Sequence, residues 1–208
     1  RETLLKEFDL ARVSRNPAIY DTDKLTWING HYLRETPLDK IVDQALPFLK
    51  MRGWIEPSVP ETEQYARRVV ATVRDRVKTL AEIADASEYF FNEVTSYEEK
   101  GVRKYFRSQE TLVALRVVSQ RLEKLSPFTK DNTEKICRQT AEELGISAGK
   151  IIHPIRLAVS GRTMGPGLFD ILEVLGRERV VRRIKRAIAY IEQSGTTTAI
   201  PNNVANKK

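Results

Sequence analysis

The clearest pattern of apolar and polar positions lies in residues 150–191, where it predicts three consecutive helices. The first is predicted to end at Gly161, because glycine readily adopts the left-handed conformation that closes a helix. The second is predicted to start with Pro166 at its first position and to end at Gly176. Apolar residues fill nearly every position between these two points, so we expect this short helix to be buried on most sides.

The third helix of this stretch has one apolar and one basic face. Its apolar residues recur at helical spacing and are Val180, Val181, Ile184, Ile188 and Ile191. Its other face contains one acidic residue, Glu178, and six basic residues, which are Arg177, Arg179, Arg182, Arg183, Lys185 and Arg186.

This basic face has two interpretations. It is either a solvated helix surface or a surface for phosphate groups, because clustered arginine and lysine supply the sequence-independent part of nucleic-acid affinity. The preceding loop favours phosphate, since it brings Arg156 and Arg162 close in sequence to exposed glycine backbone. We therefore expect Arg182, Arg183 and Arg186 to face phosphate groups.

The rest of the chain is also helical in pattern. Asp21 is placed to cap one helix, and Thr36-Pro37 opens another that Pro47 is expected to bend. Later helices are predicted to be capped at their starts; the candidate caps are Ser108, Thr129 or Asn132, and Ser147. No strand-like alternation of useful length appears, so we predict an all-α fold of about ten or more helices in two stacked bundles. Residues 194–208 are polar and lack periodicity, which predicts a disordered tail.

Composition narrows the possible functions. Lys and Arg number 35 against 28 Asp and Glu, and the resulting net charge of +7 favours an acidic partner. No apolar run approaches the roughly 20 residues of a membrane span, and no signal peptide opens the chain. The single cysteine, Cys137, fits a reducing cytosol, so we expect a cytoplasmic protein. Because the chain starts at Arg1 within a helical pattern, we interpret it as part of a longer polypeptide.

Motifs for catalysis or metal binding do not occur in the sequence. His31 and His153 have no ligand-spaced partners, so structural or surface positions are expected for both. Cys137 has neither a CxxC motif nor a paired histidine, which predicts a packing role. Neither GxxxxGK nor GxGxxG occurs. We expect no catalytic residue, no metal site and no cofactor in this chain.

A family resemblance covers nearly the whole chain. The stretch HPIRLAVSGRTMGPGLFDILEVLGRERVVRRI resembles the end of bacterial-type glutamyl-tRNA synthetases, which are class I aminoacyl-tRNA synthetases. The stretch FDLARVSRNPAIYDTDKLTWINGHYLRE is similar to the linking region that follows the catalytic part of that family. The His-x-Gly-His and Lys-x-Ser-Lys type motifs with which class I synthetases bind ATP are absent. The resemblance therefore implies only the non-catalytic half of such an enzyme.

The resemblance also implies which residues contact tRNA. Lys24 and Trp27 lie three positions apart and are implied to face the tRNA body, although a tryptophan here also suits a partly buried packing position. In VRDRVKTL, Arg76 matches the arginine that reads the last anticodon base in discriminating members of the family. A guanidinium suits this task because its fork pairs with two acceptors. Without the resemblance, Arg76 would be interpreted as a surface salt-bridge residue.

Five further residues are implied at the anticodon. Arg138 and Arg156 would donate hydrogen bonds to phosphates or bases. Pro166, Leu168 and Phe169 lie where an apolar platform for an unstacked loop base is implied, with burial in the bundle as the alternative.

We thus expect the anticodon-binding region of a glutamate–tRNA ligase, a monomer whose partners are tRNA(Glu) and its own N-terminal catalytic domain. The expected organisation is a linking region (1–57), two anticodon-binding subdomains (58–96 and 97–193) and the tail (194–208). ATP and Mg²⁺ would bind only in the catalytic domain that this chain lacks. The alternative is a basic α-helical protein-interaction domain without RNA specificity.

Overall fold

The computed structural model describes residues 2–12, 20–55 and 60–196, and within these ranges it contains helices and no strand. The eleven helices in these ranges are α1 (Glu2–Glu7), α2 (Thr22–Glu35), α3 (Leu38–Met51), α4 (Pro60–Val73), α5 (Leu80–Phe91), α6 (Glu99–Tyr105), α7 (Gln109–Lys124), α8 (Lys130–Glu143), α9 (Gly149–Ser160), α10 (Leu168–Leu175) and α11 (Arg177–Thr196). Short 3-10 turns lie at Leu10–Arg12 and Arg74–Arg76. The predicted all-α fold is confirmed.

Side-chain caps begin four of these helices. The side chains of Asp21, Thr79, Ser108 and Thr129 accept hydrogen bonds from backbone N–H groups in the first turns of α2, α5, α7 and α8. Each cap satisfies one of the N–H groups that the first turn of a helix leaves without a partner. The caps predicted at Asp21 and Ser108 are confirmed. For α8, Thr129 is the cap and the other candidate, Asn132, is not.

Three predicted helix starts are wrong. Thr36 closes α2, because its N–H donates to the Tyr32 carbonyl, and it does not cap α3. Ser147 does not cap α9, which has no side-chain cap. Pro166 precedes α10, since Gly167 takes the cap position and the helix begins at Leu168.

The helices form two stacked bundles, as predicted. In the first, α3, α4 and α5 pack against one another, and in the second α7 to α11 surround a shared core. The bundles meet where α10 packs on α4 and α5 packs on α9. The apolar residues predicted for α10 are all buried, in agreement with its role at this junction; they are Leu168, Phe169, Ile171, Leu172, Val174 and Leu175. The subdomain boundaries predicted from the sequence remain a prediction.

Gly161 lets the segment between α5 and α6 approach the end of α9. Its φ of 73° is left-handed, and a Cβ atom at this position would lie 2.7 Å from the Ser96 carbonyl oxygen. Its own carbonyl accepts a hydrogen bond from the Glu98 N–H at 2.9 Å. Both the turn and the close approach therefore require glycine here.

Helix α11 extends through Thr196, so it includes the first residues of the predicted tail. The remainder of that tail lies outside the described residues. None of the helices in the described ranges is long and apolar enough to cross a membrane.

Arg183 of α11 lies in the core between the bundles and is only 2% exposed. Its guanidinium donates to the carbonyl oxygens of Tyr89 (2.8 Å), Asn92 (2.8 Å) and Val159 (2.6 Å). These carbonyls lie at the ends of α5 and α9, where a helix leaves carbonyl groups without internal partners. Burial lowers the pKa of the guanidinium, and the Glu93 carboxylate, 3.9 Å away, opposes that shift. One side chain therefore joins three helices from both bundles.

We expect Arg183→Met to lower the free energy of unfolding by about 3 kcal/mol or more, because buried carbonyl groups lose their hydrogen-bond donor. Urea unfolding followed by circular dichroism measures the change. Arg186→Met is the matched control, since Arg186 lies on the same helix but is exposed, and it should change stability by less than about 0.5 kcal/mol. Equal effects of the two substitutions would contradict this role for Arg183.

Cys137 is a buried packing residue of α8, as predicted from the sequence. Burial raises the pKa of its thiol to about 12, so the reactive thiolate is scarce at neutral pH. We expect a thiol reagent at about pH 8 to label the chain in denaturing urea but not in buffer. Labelling of the folded chain at the rate of a free thiol would show that this part of α8 opens readily.

Candidate nucleic-acid interface

Arg76 lies at the end of the 3-10 turn that follows α4, and its side chain is exposed. The turn is anchored on both sides, since Val73 and Val77 are buried. Among the described residues Arg76 has no hydrogen-bond or ion-pair partner. The structure thus presents a free guanidinium on a fixed piece of backbone.

Arg156 of α9 is half-buried beside the loop that precedes α10. Its Nη1 donates to the Pro166 carbonyl at 2.6 Å, and the same atom lies 3.7 Å from the point where a Cβ of Gly165 would be. Burial lowers the pKa of the Arg156 guanidinium, and the nearby positive charge of Arg76 acts in the same direction. The charge of Arg76, on the turn after α4, is therefore felt by Arg156 on α9.

Most neighbouring arginines already have partners within the protein. Arg67 pairs with Asp39, and Arg162 pairs with Glu88 at 3.2 Å. Arg68 donates to the carbonyl of Glu173 at 3.1 Å. By contrast, no carboxylate of the described residues pairs with Arg76 or Arg156. Their positive charge is therefore left uncompensated.

Tyr89 lies close to Arg156 and Arg162. Its hydroxyl is buried without a hydrogen-bond partner in the described part of the chain, and burial raises its pKa to about 12. A Cβ at Gly165 would lie 4.0 Å from this hydroxyl. The guanidinium of Arg162 lies 5.8 Å from the centre of the Tyr89 ring, in a cation–π contact. The floor of the site is thus a neutral aromatic side chain.

The face of α2 that carries Lys24 and Trp27 is open to solvent. Trp27 is 64% exposed, and its ring stacks on His31 with ring centres 6.4 Å apart and an angle of 13° between planes. Tyr32 meets His31 edge-on at 5.9 Å and is also exposed. Trp27 is therefore mostly exposed, which disfavours the partly buried packing position, and its contact with the tRNA body remains a prediction.

Pro166, Leu168 and Phe169 do not form an exposed apolar platform, so that expectation is wrong. All three are buried, with Leu168 3% and Phe169 9% exposed, because α10 lies in the junction between the bundles. Their side chains belong to the core, and the alternative of burial is the one that the structure supports.

Arg138 is exposed on α8, but it is paired within its own helix. Its Nη2 lies 2.6 Å from the carboxylate of Glu134, one turn earlier. The structure therefore places Arg138 on the surface without a free guanidinium.

The basic face predicted for α11 is largely engaged in contacts within the protein. Arg183 is buried, so its predicted phosphate-facing position is wrong. Arg182 is exposed but pairs with Glu93 at 2.6 Å, and Lys185 pairs with Glu123 at 2.7 Å. Arg179 donates to the Phe90 carbonyl at 2.8 Å and to the hydroxyl of Tyr65. Of the three arginines expected to face phosphate, only Arg186 fits that description.

A metal site is not found in the described residues, where no three side chains suitable as metal ligands come together. His31 and His153 are both exposed and stack on aromatic rings. The chemistry available at the site is therefore that of arginine, lysine and aromatic side chains.

Comparison with known proteins gives consistent matches. Residues 40–188 match the sequence model of the family described as "Anticodon binding domain". The chain is 54% identical over 194 residues to the glutamate–tRNA ligase of Moorella thermoacetica, covering 93% of this chain and 40% of that protein. It is 51% identical over 190 residues to glutamate–tRNA ligase 1 of Caldanaerobacter subterraneus subsp. tengcongensis, covering 91% of this chain and 39% of that one. The chain thus spans about two fifths of the length of these curated relatives.

The fold also matches a solved structure. The crystal structure of a glutamate tRNA ligase from Elizabethkingia meningosepticum, in complex with its amino acid, superposes with a TM-score of 0.81 and 26% sequence identity. The match covers 91% of this chain and 36% of that protein.

Proposed function

This chain belongs to the anticodon-binding domain family, and we propose that it holds the anticodon stem-loop of tRNA(Glu) for a glutamate–tRNA ligase. The observation that carries the proposal is that Arg76, exposed at the end of a turn anchored by buried valines, and Arg156, half-buried on α9, have no carboxylate partner among the described residues. Like charges repel, so a folded protein normally pairs them with acids. Left as they are, they attract a ligand rich in negative charge and hydrogen-bond acceptors, such as an RNA loop.

The two arginines suit different parts of this task. Arg76 is exposed, and its planar fork of donors is able to pair with acceptors on the edge of an unstacked base, including the carbonyl of cytosine. Arg156 is half-buried and holds the loop before α10, so it lines the site and strengthens the local field. On this basis Arg76 reads the last anticodon base, and Arg156 shapes the pocket in which the loop lies.

Lys24 and Trp27 extend the contact towards the tRNA body. An ammonium group attracts phosphates, and an exposed indole offers a face for stacking on a base or a sugar. Contacts of this kind fix the position of the RNA without reading its sequence. The stacked pair of Trp27 and His31 limits the freedom of the indole, which lowers the entropy lost on binding.

In this proposal glutamate activation, with its ATP and Mg²⁺, takes place outside this chain. The chain corresponds to 40% of the Moorella thermoacetica ligase, and the nucleotide motifs of class I synthetases do not occur in its sequence. The module acts in the cytoplasm as a monomer joined to its catalytic domain.

The alternative is a helical protein-interaction domain, and the dependence of binding on salt separates the two. RNA binding releases counterions from the phosphates, so raising salt from about 50 to 200 mM should weaken stem-loop binding by roughly tenfold or more. Fluorescence anisotropy with a labelled anticodon stem-loop measures this change. Binding that is insensitive to salt would favour the protein-interaction domain.

We expect Arg76→Gln to narrow the difference in affinity between stem-loops whose anticodons end in C and in G. One arginine–base pair is worth about 1–3 kcal/mol of discrimination, and glutamine lacks both the charge and the rigid fork. The measurement is the dissociation constant of each RNA at one fixed salt concentration.

Arg107→Gln is the control for loss of charge alone, because Arg107 is exposed and lies in the loop between α6 and α7. It should lower the affinity for both RNAs slightly and equally. If Arg76→Gln gave the same uniform loss, Arg76 would be an ordinary surface charge.

A further inference from the structure

The segment that carries Arg76 is held to α2 at two points. On one side of Arg76, the guanidinium of Arg74 donates to the carbonyl of Thr36, at the end of α2, at 3.4 Å. On the other side, the side-chain amide of Asn29 donates to the carbonyl of Lys78. The segment is therefore tied to α2 by the side chain of Arg74 before Arg76 and by the backbone of Lys78 after it.

Gly30 allows α2 and this segment to come close together. It is buried, and a Cβ at this position would lie 3.3 Å from Cγ and 3.5 Å from Cα of Lys78. The first distance is tighter than an ordinary van der Waals contact. A Cβ at position 30 would therefore press on the Lys78 side chain, and a side chain much larger than alanine would have to displace Lys78.

The far end of the segment is fixed by α5. The N–H of Lys78 donates to the carboxylate of Glu82 at 2.8 Å, and Thr79 caps the helix. Lys78 is thus held through its N–H by α5 and through its carbonyl by Asn29. The exposed side chain of Arg76 has no such partner among the described residues.

The sequence of α2 is unusual at Asn29 and Gly30, and the contact of these two residues with Lys78 explains why. Asparagine is a weak helix former and glycine is a poor one, yet the two stand together in the interior of a fourteen-residue helix. Alanine at both positions would give a more stable isolated helix. The Asn-Gly pair offsets this cost by giving α2 a donor and a flat surface against Lys78.

We propose that Asn29 and Gly30 are positioning residues for the reading of the last anticodon base. They fix the backbone from which Arg76 reaches, so that its guanidinium meets one base edge and not a range of positions. Because Lys24 and Trp27 stand on the same helix, the contact with the tRNA body and the contact with the base are set by one rigid unit. This inference rests on the proposed function and adds Asn29 and Gly30 to the residues that serve it.

The test uses the whole chain and two anticodon stem-loop RNAs that differ only in the last anticodon base, C or G. Asn29→Ala removes the side-chain donor and leaves Arg76 intact. We expect the ratio of the two dissociation constants (G-ending over C-ending RNA) to fall towards 1 by roughly threefold to tenfold, which is the effect of one lost hydrogen bond. The melting temperature should not fall by much, since alanine is the better helix former.

A double-mutant cycle separates positioning from a general structural role. In a chain that already carries Arg76→Gln, Asn29→Ala should leave the ratio unchanged, because Asn29 acts through Arg76. Gly30→Leu, which displaces Lys78 without touching a polar group, should narrow the ratio in the same way as Asn29→Ala.

Asn132→Ala is the matched control. Asn132 also donates its side-chain amide to a backbone carbonyl, that of Pro127 at 3.0 Å, but it does so at the start of α8. It should leave the ratio at the wild-type value. The inference is overturned if Asn29→Ala keeps the wild-type ratio, or if it narrows the ratio equally with and without Arg76. A wild-type chain that binds neither RNA, or both alike, would overturn the proposed function and this inference with it.

Discussion

The burial of one guanidinium, that of Arg183, sets the geometry on which the site depends. It donates to three carbonyl groups at the ends of α5 and α9, so it favours the arrangement of those helices in which all three hydrogen bonds form. Helix α5 starts just after the segment that carries Arg76, and α9 carries Arg156. The interaction that joins the two bundles therefore also brings the two site arginines together, although it lies in the core and touches no ligand.

Some of the positively charged side chains are paired within the protein, and others have no acid partner among the described residues. With a net charge of +7, the surface is basic in general, but many arginines are neutralised by carboxylates or turned towards backbone carbonyls. Paired charges of this kind add little to the attraction of an RNA, because their fields largely cancel. Arg76, which is exposed and has no acid partner among the described residues, keeps its charge uncancelled, and for this reason we propose it as the selective contact. Total charge alone would have pointed to α11, which the structure shows to be largely occupied by internal contacts.

The sequence predicts local features well, because these are decided within a few residues. The caps at Asp21 and Ser108 and the burial of α10 follow from cap chemistry and helical spacing. The burial of Arg183 was missed, yet a signal existed, since it lies three residues after Val180 and one before Ile184, on the apolar face of α11.

Two other features have no local signal. Arg76 and Arg156 are far apart in the chain, and only the packing of the bundles brings them together. The contact of Asn29 with Lys78 is similar, since an Asn-Gly pair in a helix indicates a special role but not its partner. The most direct test of the whole account is the affinity of the chain for a panel of stem-loops in which each anticodon base is changed in turn. We expect the largest loss of affinity when the last base is changed, because Arg76 is proposed to contact that base. Equal affinity for all members of the panel, or for a stem without the loop, would contradict it.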